Sequence, residues 1–198
     1  MKRPDLDRLI ELQRLLQAFG SVDRVVHRDH NGTMRQETDV EHSYNLAMTA
    51  WFLAPHFPEL DRDLLLRYAL VHDLVEVHAG DTYVYGSREE LASKHDREAA
   101  AASKLAAEWS DFPELHELIQ SYEARDTAEG RFVYALDKLM PIFAIYIHDG
   151  YTWKQEGITV AMLDRIKRDK VALSPEIQPY FEDLIQLLLT SPHLIPAK

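Results

Sequence analysis

The stretch Leu70-Val71-His72-Asp73-Leu74-Val75-Glu76 sets one imidazole and two carboxylates into an apolar run. An unpaired carboxylate is costly to bury, so Asp73 requires a cation, a metal ion or a strong set of donors. Glu76 follows His72 by four residues and Asp73 by three, which places all three on one side of a helix. Such a face makes either a metal site or an ion-pair network with an arginine. Two other places repeat the pattern. Glu41-His42 lies in the first turn of a helix whose other face is apolar, and Asp137 interrupts Val133-Tyr134-Ala135-Leu136-Asp137-Lys138-Leu139-Met140. A single helical His is more often a core or surface residue than a ligand. Groups of this kind on three helices that can converge in a bundle point towards a metal.

The dipeptide His-Asp occurs three times. His95-Asp96 sits in Ser93-Lys94-His95-Asp96-Arg97-Glu98, where opposite charges pair along a solvated helix. His148-Asp149-Gly150 closes a helix, where an imidazole interacts favourably with the dipole and Gly supplies the stop. Only His72-Asp73 has apolar neighbours on both sides.

The elements that must position these groups are helical. Gly and Pro number only 7 and 9, against a turn-rich β fold. Leu6, Leu9, Ile10, Leu16 and Phe19 mark one face of a first helix stopped at Gly20. Residues 20–38 read as polar and irregular, with a turn at Asn31-Gly32. Asp39 suits the N-cap of a helix through Val40, Tyr44, Ala47, Met48 and Trp51 to about Pro55. The next runs from about Asp61 to Gly80, followed by a loop from Asp81 to Ser87. Ser87-Arg88-Glu89-Glu90 reads as a capping box for a long helix to Trp109. Later helices are expected over residues 113–125, 128–149 (with a kink at Pro141), 159–170 and 175–189. No strand is expected, and 1–198 reads as a single all-α domain.

Composition narrows the function. The chain has 198 residues, 46% hydrophobic and 28% charged, with 22 Lys+Arg against 33 Asp+Glu for a net charge of -11. That acidity argues against duplex nucleic acid as a partner. The absence of Cys excludes thiol catalysis, disulfides and thiolate metal sites. No apolar run reaches the roughly 18–20 residues of a membrane span. The N-terminus is unlike a signal peptide, so a cytoplasmic location is expected.

His42, then His72-Asp73 in an apolar helix, then a distant Asp137, resembles the HD-domain metal-dependent phosphohydrolases. The longer motif Val71-His72-Asp73-Leu74-Val75-Glu76-Val77-His78-Ala79-Gly80-Asp81, with Glu41-His42-Ser43, is similar to the branch containing bacterial 5′-deoxyribonucleotidases and their small eukaryotic relatives. The likeness spans about residues 20–145. It implies an HD-type helical bundle in which His42, His72, Asp73 and Asp137 bind one divalent metal. The mixed His/carboxylate set does not choose between Mn, Co, Fe, Ni, Zn and Mg. It also implies Glu76 as general acid/base, Asp81 as the contact to the sugar hydroxyl and Arg24 as a phosphate contact. The aromatic residue expected after that Arg is here Val25. The substrate would be a 2′-deoxynucleoside 5′-monophosphate and the partner a second copy of the chain, with the C-terminal helices offering an apolar face. Two alternatives stand beside this reading: hydrolysis of a nucleoside triphosphate or alarmone pyrophosphate, and a non-enzymatic nucleotide-binding protein with a structural metal.

Overall fold

The computed structural model describes residues 3–196, apart from the side chain of Glu90. Along the chain run α1 (Leu6–Phe19), β1 (Asp23–His30), β2 (Thr33–Thr38), α2 (Asp39–Leu53), α3 (Arg62–Val71) and α4 (Glu76–Ala79). There follow α5 (Arg88–Glu108), α6 (Pro113–Ala124), α7 (Ala128–Ile147), α8 (Tyr151–Glu156), α9 (Val160–Val171) and α10 (Gln178–Leu189). The all-α expectation holds, with one hairpin as its exception. None of the described helices is long and apolar enough to cross a membrane. The contact expected from Glu90 in a capping box at Ser87 lies outside the described residues.

The hairpin replaces the irregular segment expected before α2. Asn31 and Gly32 have φ of 54° and 82°, the left-handed pair that a two-residue hairpin turn requires. Asp29 Oδ1 accepts from Gly32 N at 2.7 Å and fixes that turn. The register breaks between Asp23 and His27, within which Val26 enters the core and Arg24 is also largely covered. Such an irregularity re-aims side chains, and here one of them is an arginine.

Thr38, not Asp39, is the N-cap of α2. Its hydroxyl accepts from Glu41 N (3.4 Å), and the Glu41 carboxylate accepts from Thr38 N (3.1 Å). Asp39 falls one residue inside the helix and is fully buried. The buried face of α2 is His42, Ser43, Leu46, Ala50 and Leu53, while Val40, Tyr44, Met48 and Trp51 are exposed. On α1, likewise, Leu15 and Phe19 are buried, and Leu6, Leu9, Ile10 and Leu16 face outwards.

Helix α7 runs through the middle, packed by α2, α3, α6, α9 and β1. Its apolar sequence suits that position, since a helix hydrophobic on most sides must be covered on most sides. The expected helix from Asp61 to Gly80 breaks into α3 and α4 at residues 72–75. This short turn spans two apolar clusters. Tyr68 and Ala69 before it belong to the large core around α7, whereas Leu74 and Val75 pack with Leu15, Phe19, Leu105 and Trp109. Both ends of the turn are therefore pinned, and His72 and Asp73 lie between them. Of the C-terminal helices, α10 turns Phe181, Leu184, Ile185 and Leu188 into the large core.

Candidate metal centre

Three elements bring four ligand groups together. His42 comes from the first turn of α2, His72 and Asp73 from the turn after α3, and Asp137 from the middle of α7. One ligand atom from each lies within 4.8 Å of all the others. His42 Nε2 is 2.8 Å from Asp137 Oδ1, and His72 Nε2 is 2.9 Å from Asp73 Oδ2. The cross distances are 4.0 Å from His42 Nε2 to Asp73 Oδ2 and 3.9 Å from His72 Nε2 to Asp137 Oδ1.

The surroundings of the imidazoles fit a cation in the middle. His72 Nδ1 donates to the Ala69 carbonyl at 3.0 Å, which leaves Nε2 with its lone pair towards the cluster. That Nε2 has no hydrogen-bond partner although a carboxylate oxygen stands 2.9 Å away. Two electron-pair donors facing each other without a proton between them are what a metal ion resolves. His42 Nδ1 faces Glu37 Oε2 at 3.7 Å, so a carboxylate stands behind this ring as a carbonyl stands behind the other. Buried side-chain atoms lacking a partner gather here: Arg24 Nε, Glu37 Oε2, Asp39 Oδ2, His42 Nδ1, His72 Nε2 and Glu76 Oε2. Native interiors leave few such atoms, and a concentration of them suits a site that takes up an ion, a ligand or water.

A second acidic group adjoins the first. Asp39, Asp73 and Glu76 also offer oxygens within 4.8 Å of one another. Arg24 Nη1 donates to both Asp39 Oδ1 (2.9 Å) and Asp73 Oδ2 (2.8 Å). A fixed cation thus already sits among these carboxylates. Burial, then Asp73, Asp81 and Asp39, push the Glu76 carboxyl up to about 11, so it holds a proton in this charge environment. Burial also raises Asp81, against the pull of Arg24. Asp73 and Asp137 go the other way. Burial would raise both, but the Arg24 guanidinium helps hold Asp73 down, and the Lys138 ammonium holds Asp137 well below the carboxylate range.

All seven residues singled out in the sequence meet in this region: His42, His72, Asp73, Asp137, Glu76, Arg24 and Asp81. The last two line a cavity of about 90 Å3 that also touches Asp137, Lys138, Tyr83, Tyr85, Trp153 and Lys167. His95 is exposed, and neither it nor His148 joins a cluster that could hold a metal among the described residues. The sequence did not disclose Glu37, Asp39 or Lys138 as neighbours of the site. Asp39 had the look of an N-cap, and Lys138 carried no signal of its own beside Asp137. Lys138 Nζ in fact donates to Asp137 Oδ2 at 2.5 Å.

The sequence model of the HD domain family matches residues 22–178. The chain belongs to the HD domain family. Within that family it is 32% identical over 133 residues to a bovine protein named 5′-deoxynucleotidase HDDC2, and 31% identical to the human protein of that name. The bovine alignment covers 64% of this chain and 62% of the relative, so it spans somewhat under two thirds of that protein. A crystal structure of a predicted metal-dependent phosphohydrolase from Magnetospirillum magnetotacticum MS-1 superposes with a TM-score of 0.79 at 30% identity. It covers 96% of both chains, so the fold shared with that protein continues through α9 and α10. A conserved hypothetical protein from Pyrococcus furiosus, at 23% identity and a TM-score of 0.61, shares the fold.

Proposed function

We propose that the protein is a metal-dependent phosphohydrolase acting on 2′-deoxynucleoside 5′-monophosphates, releasing phosphate and the deoxynucleoside. The observation that carries this reading is the four-ligand cluster in which His72 Nε2 makes no hydrogen bond although Asp73 Oδ2 stands 2.9 Å away. His42, His72, Asp73 and Asp137 would hold one divalent ion. A metal bound there supplies a lowered pKa for water and positive charge against the phosphate. A single ion accords with Arg24, whose guanidinium already serves the second carboxylate group.

The remaining steps belong to side chains. Glu76 stands on the edge of the cluster, where its carboxyl can exchange a proton with the attacking water or the departing 5′-oxygen. Arg24 orients Asp39 and Asp73 and offers its charge to the phosphate from the cavity wall. Asp81, just after the stop at Gly80, lines the same cavity and accepts a hydrogen bond from the 3′-hydroxyl. A pocket closed around C2′ rejects ribose, because an extra hydroxyl buried without a partner costs about 1–3 kcal/mol. The names of the bovine and human relatives support this choice of substrate.

The test is phosphate release from matched deoxy-5′, ribo-5′ and deoxy-3′ monophosphates and a nucleoside triphosphate, across a panel of divalent metals. The deoxy-5′ substrate should exceed the ribo-5′ one by about five- to a hundredfold. The deoxy-3′ isomer, whose phosphate would meet the Asp81 carboxylate, should be a poor substrate, and Asp81→Ala should narrow the gap between the 5′ and 3′ isomers. Equal rates on deoxy and ribo substrates would remove the deoxynucleotide assignment, and activity confined to the triphosphate would replace it.

A further inference from the structure

The cavity beside the metal cluster has a direction. Asp137 and Lys138 lie at one end of an α7 stripe continued by Pro141, Ile142 and Ile145, all of which line it. Eight residues of helix separate Asp137 from Ile145, about 12 Å. One end is therefore charged, and Ile142, Ile145 and Trp153 make the far wall apolar. Its volume of about 90 Å3 is well above the roughly 10–15 Å3 one water needs. A molecule with an anionic head and a flat, largely apolar body matches that polarity.

The charged end contains a lysine that the mechanism above does not use. Lys167, from α9, is 6% exposed and lines the cavity. Its ammonium donates to the Lys138 carbonyl at 2.6 Å and forms no ion pair among the described residues. Its cationic neighbours add to the charge: Lys138 lies beside it, and Lys94 and Lys170 line the recess on the other side of Thr82 and Val84. Lys138 is tied to Asp137 and Lys94 to Glu98 (3.2 Å), whereas Lys167 has only a carbonyl. Buried ammonium groups are ordinarily paired with an anion. Arg24, also on the cavity wall, is divided between Asp39 and Asp73. A dianionic phosphate therefore needs a second donor.

We propose that the ammonium of Lys167, the lysine at this end of the cavity without a carboxylate partner among the described residues, binds a non-bridging phosphate oxygen of the substrate. This rests on the phosphohydrolase reading for the identity of the ligand, but the anion site itself follows from the lysines and the cavity. Burial and then Lys138 push Lys167 down to about 7, and a bound anion would restore its proton. The C-terminal part of the fold would thus complete the site rather than only support it.

The probe is inorganic phosphate, titrated calorimetrically into metal-loaded protein and into Lys167→Met and Lys167→Gln. Metal content and melting temperature are read on each. Loss of one charge-assisted contact should weaken phosphate about ten- to a hundredfold, with metal content unchanged. KM for the best monophosphate should rise with it, while kcat falls less. A folded, metal-loaded variant that binds phosphate within about twofold of the parent overturns the proposal. Should neither variant fold, the parent protein still decides. Carbamylation of Lys167 by cyanate, read by mass spectrometry, should slow at least about fivefold with phosphate while exposed Lys104 reacts unchanged. Equal Lys167 rates with and without phosphate overturn the assignment. Phosphate binding through Lys167 in a protein that hydrolyses no nucleotide with any metal would support the anion site and sink the enzymatic reading alone.

Discussion

His72-Asp73 and His148-Asp149 are the same dipeptide just after the end of a helix, α3 in one case and α7 in the other. After α3 the chain keeps a tight helical path, with Leu74 N donating to Val71 O (3.1 Å) and Glu76 N to Asp73 O (2.8 Å). After α7 it reverses. Gly150 N reaches back to Ile145 O (2.9 Å) and Asp149 N to Tyr146 O (3.2 Å), the paired bonds of a Schellman stop. Asp149 itself has φ 54°. The first turn is pinned between two apolar clusters, so its carboxylate meets His72, Arg24 and Asp137. The second leaves Asp149 in solvent. Identical side chains acquire different chemistry because the packing on either side decides whether their charge is covered.

The largest expected effect separates the two directly. His42→Ala, His72→Ala, Asp73→Ala and Asp137→Ala should each cost more metal affinity than the about 10–100-fold typical of losing an outer-sphere partner. His148→Ala and His95→Ala should leave metal content at the parent's level. Elemental analysis of folded, purified variants reads both sets. Full metal in Asp137→Ala, or metal loss in His148→Ala, would break the comparison.

Five of the candidate residues stood out because charge in or beside an apolar stretch is informative: Asp73 beside Leu74-Val75 and Asp137 beside Leu136 have few outlets, and His42, His72 and Glu76 share such helices, whereas Arg24 and Asp81 entered only through the resemblance. Their resemblance to a known motif then supplied roles. Periodicity also located most helices. It failed on α2, where Val40, Tyr44, Met48 and Trp51 form the better apolar stripe yet face outwards. The inward face carries His42 and Ser43, whose burial is set by the site and not by hydropathy. It failed again on β1 and β2, a two-stranded ribbon in which Val25, Val26 and Met34 are outnumbered by His, Arg, Asp, Thr, Gln and Glu and form no alternating apolar signal. Lys167 was hidden for a third reason. It stands among Arg165, Arg168, Asp169 and Lys170, which reads as a solvated face, and only the tertiary fold turns it into the cavity.

A smaller effect tests what the covered turn does beyond holding a metal. Glu76, three residues past Asp73, should matter for turnover and not for metal. Glu76→Gln keeps the shape and removes the exchangeable proton, so kcat should fall about 10²–10⁴-fold while metal content stays constant. Steady-state rates at saturating metal and substrate give the answer. A rate within about threefold of the parent would show that Glu76 shapes the pocket without moving a proton.

The smallest effect belongs to the exposed turn. Asp149 occupies the left-handed position after a helix, where glycine is the preferred residue and an L side chain is strained. Its backbone carbonyl accepts from Lys154 Nζ at 2.7 Å, a contact that survives any change of side chain. Asp149→Gly should therefore stabilise the protein by about 0.5–1 kcal/mol, after allowing for the extra freedom glycine brings to the unfolded chain. For a chain of this size that is a rise of roughly 1–4 °C in melting temperature. The neighbouring position has the opposite tolerance. Gly150 has φ 68°, and a Cβ there would stand 2.1 Å from the Leu194 carbonyl oxygen, so Gly150→Ala should lower the melting temperature markedly. Both variants should keep the parent's metal content. A fall in stability for Asp149→Gly would mean that its carboxylate makes a contact worth more than the relieved strain, and the turn after α7 would no longer be the inert member of the pair.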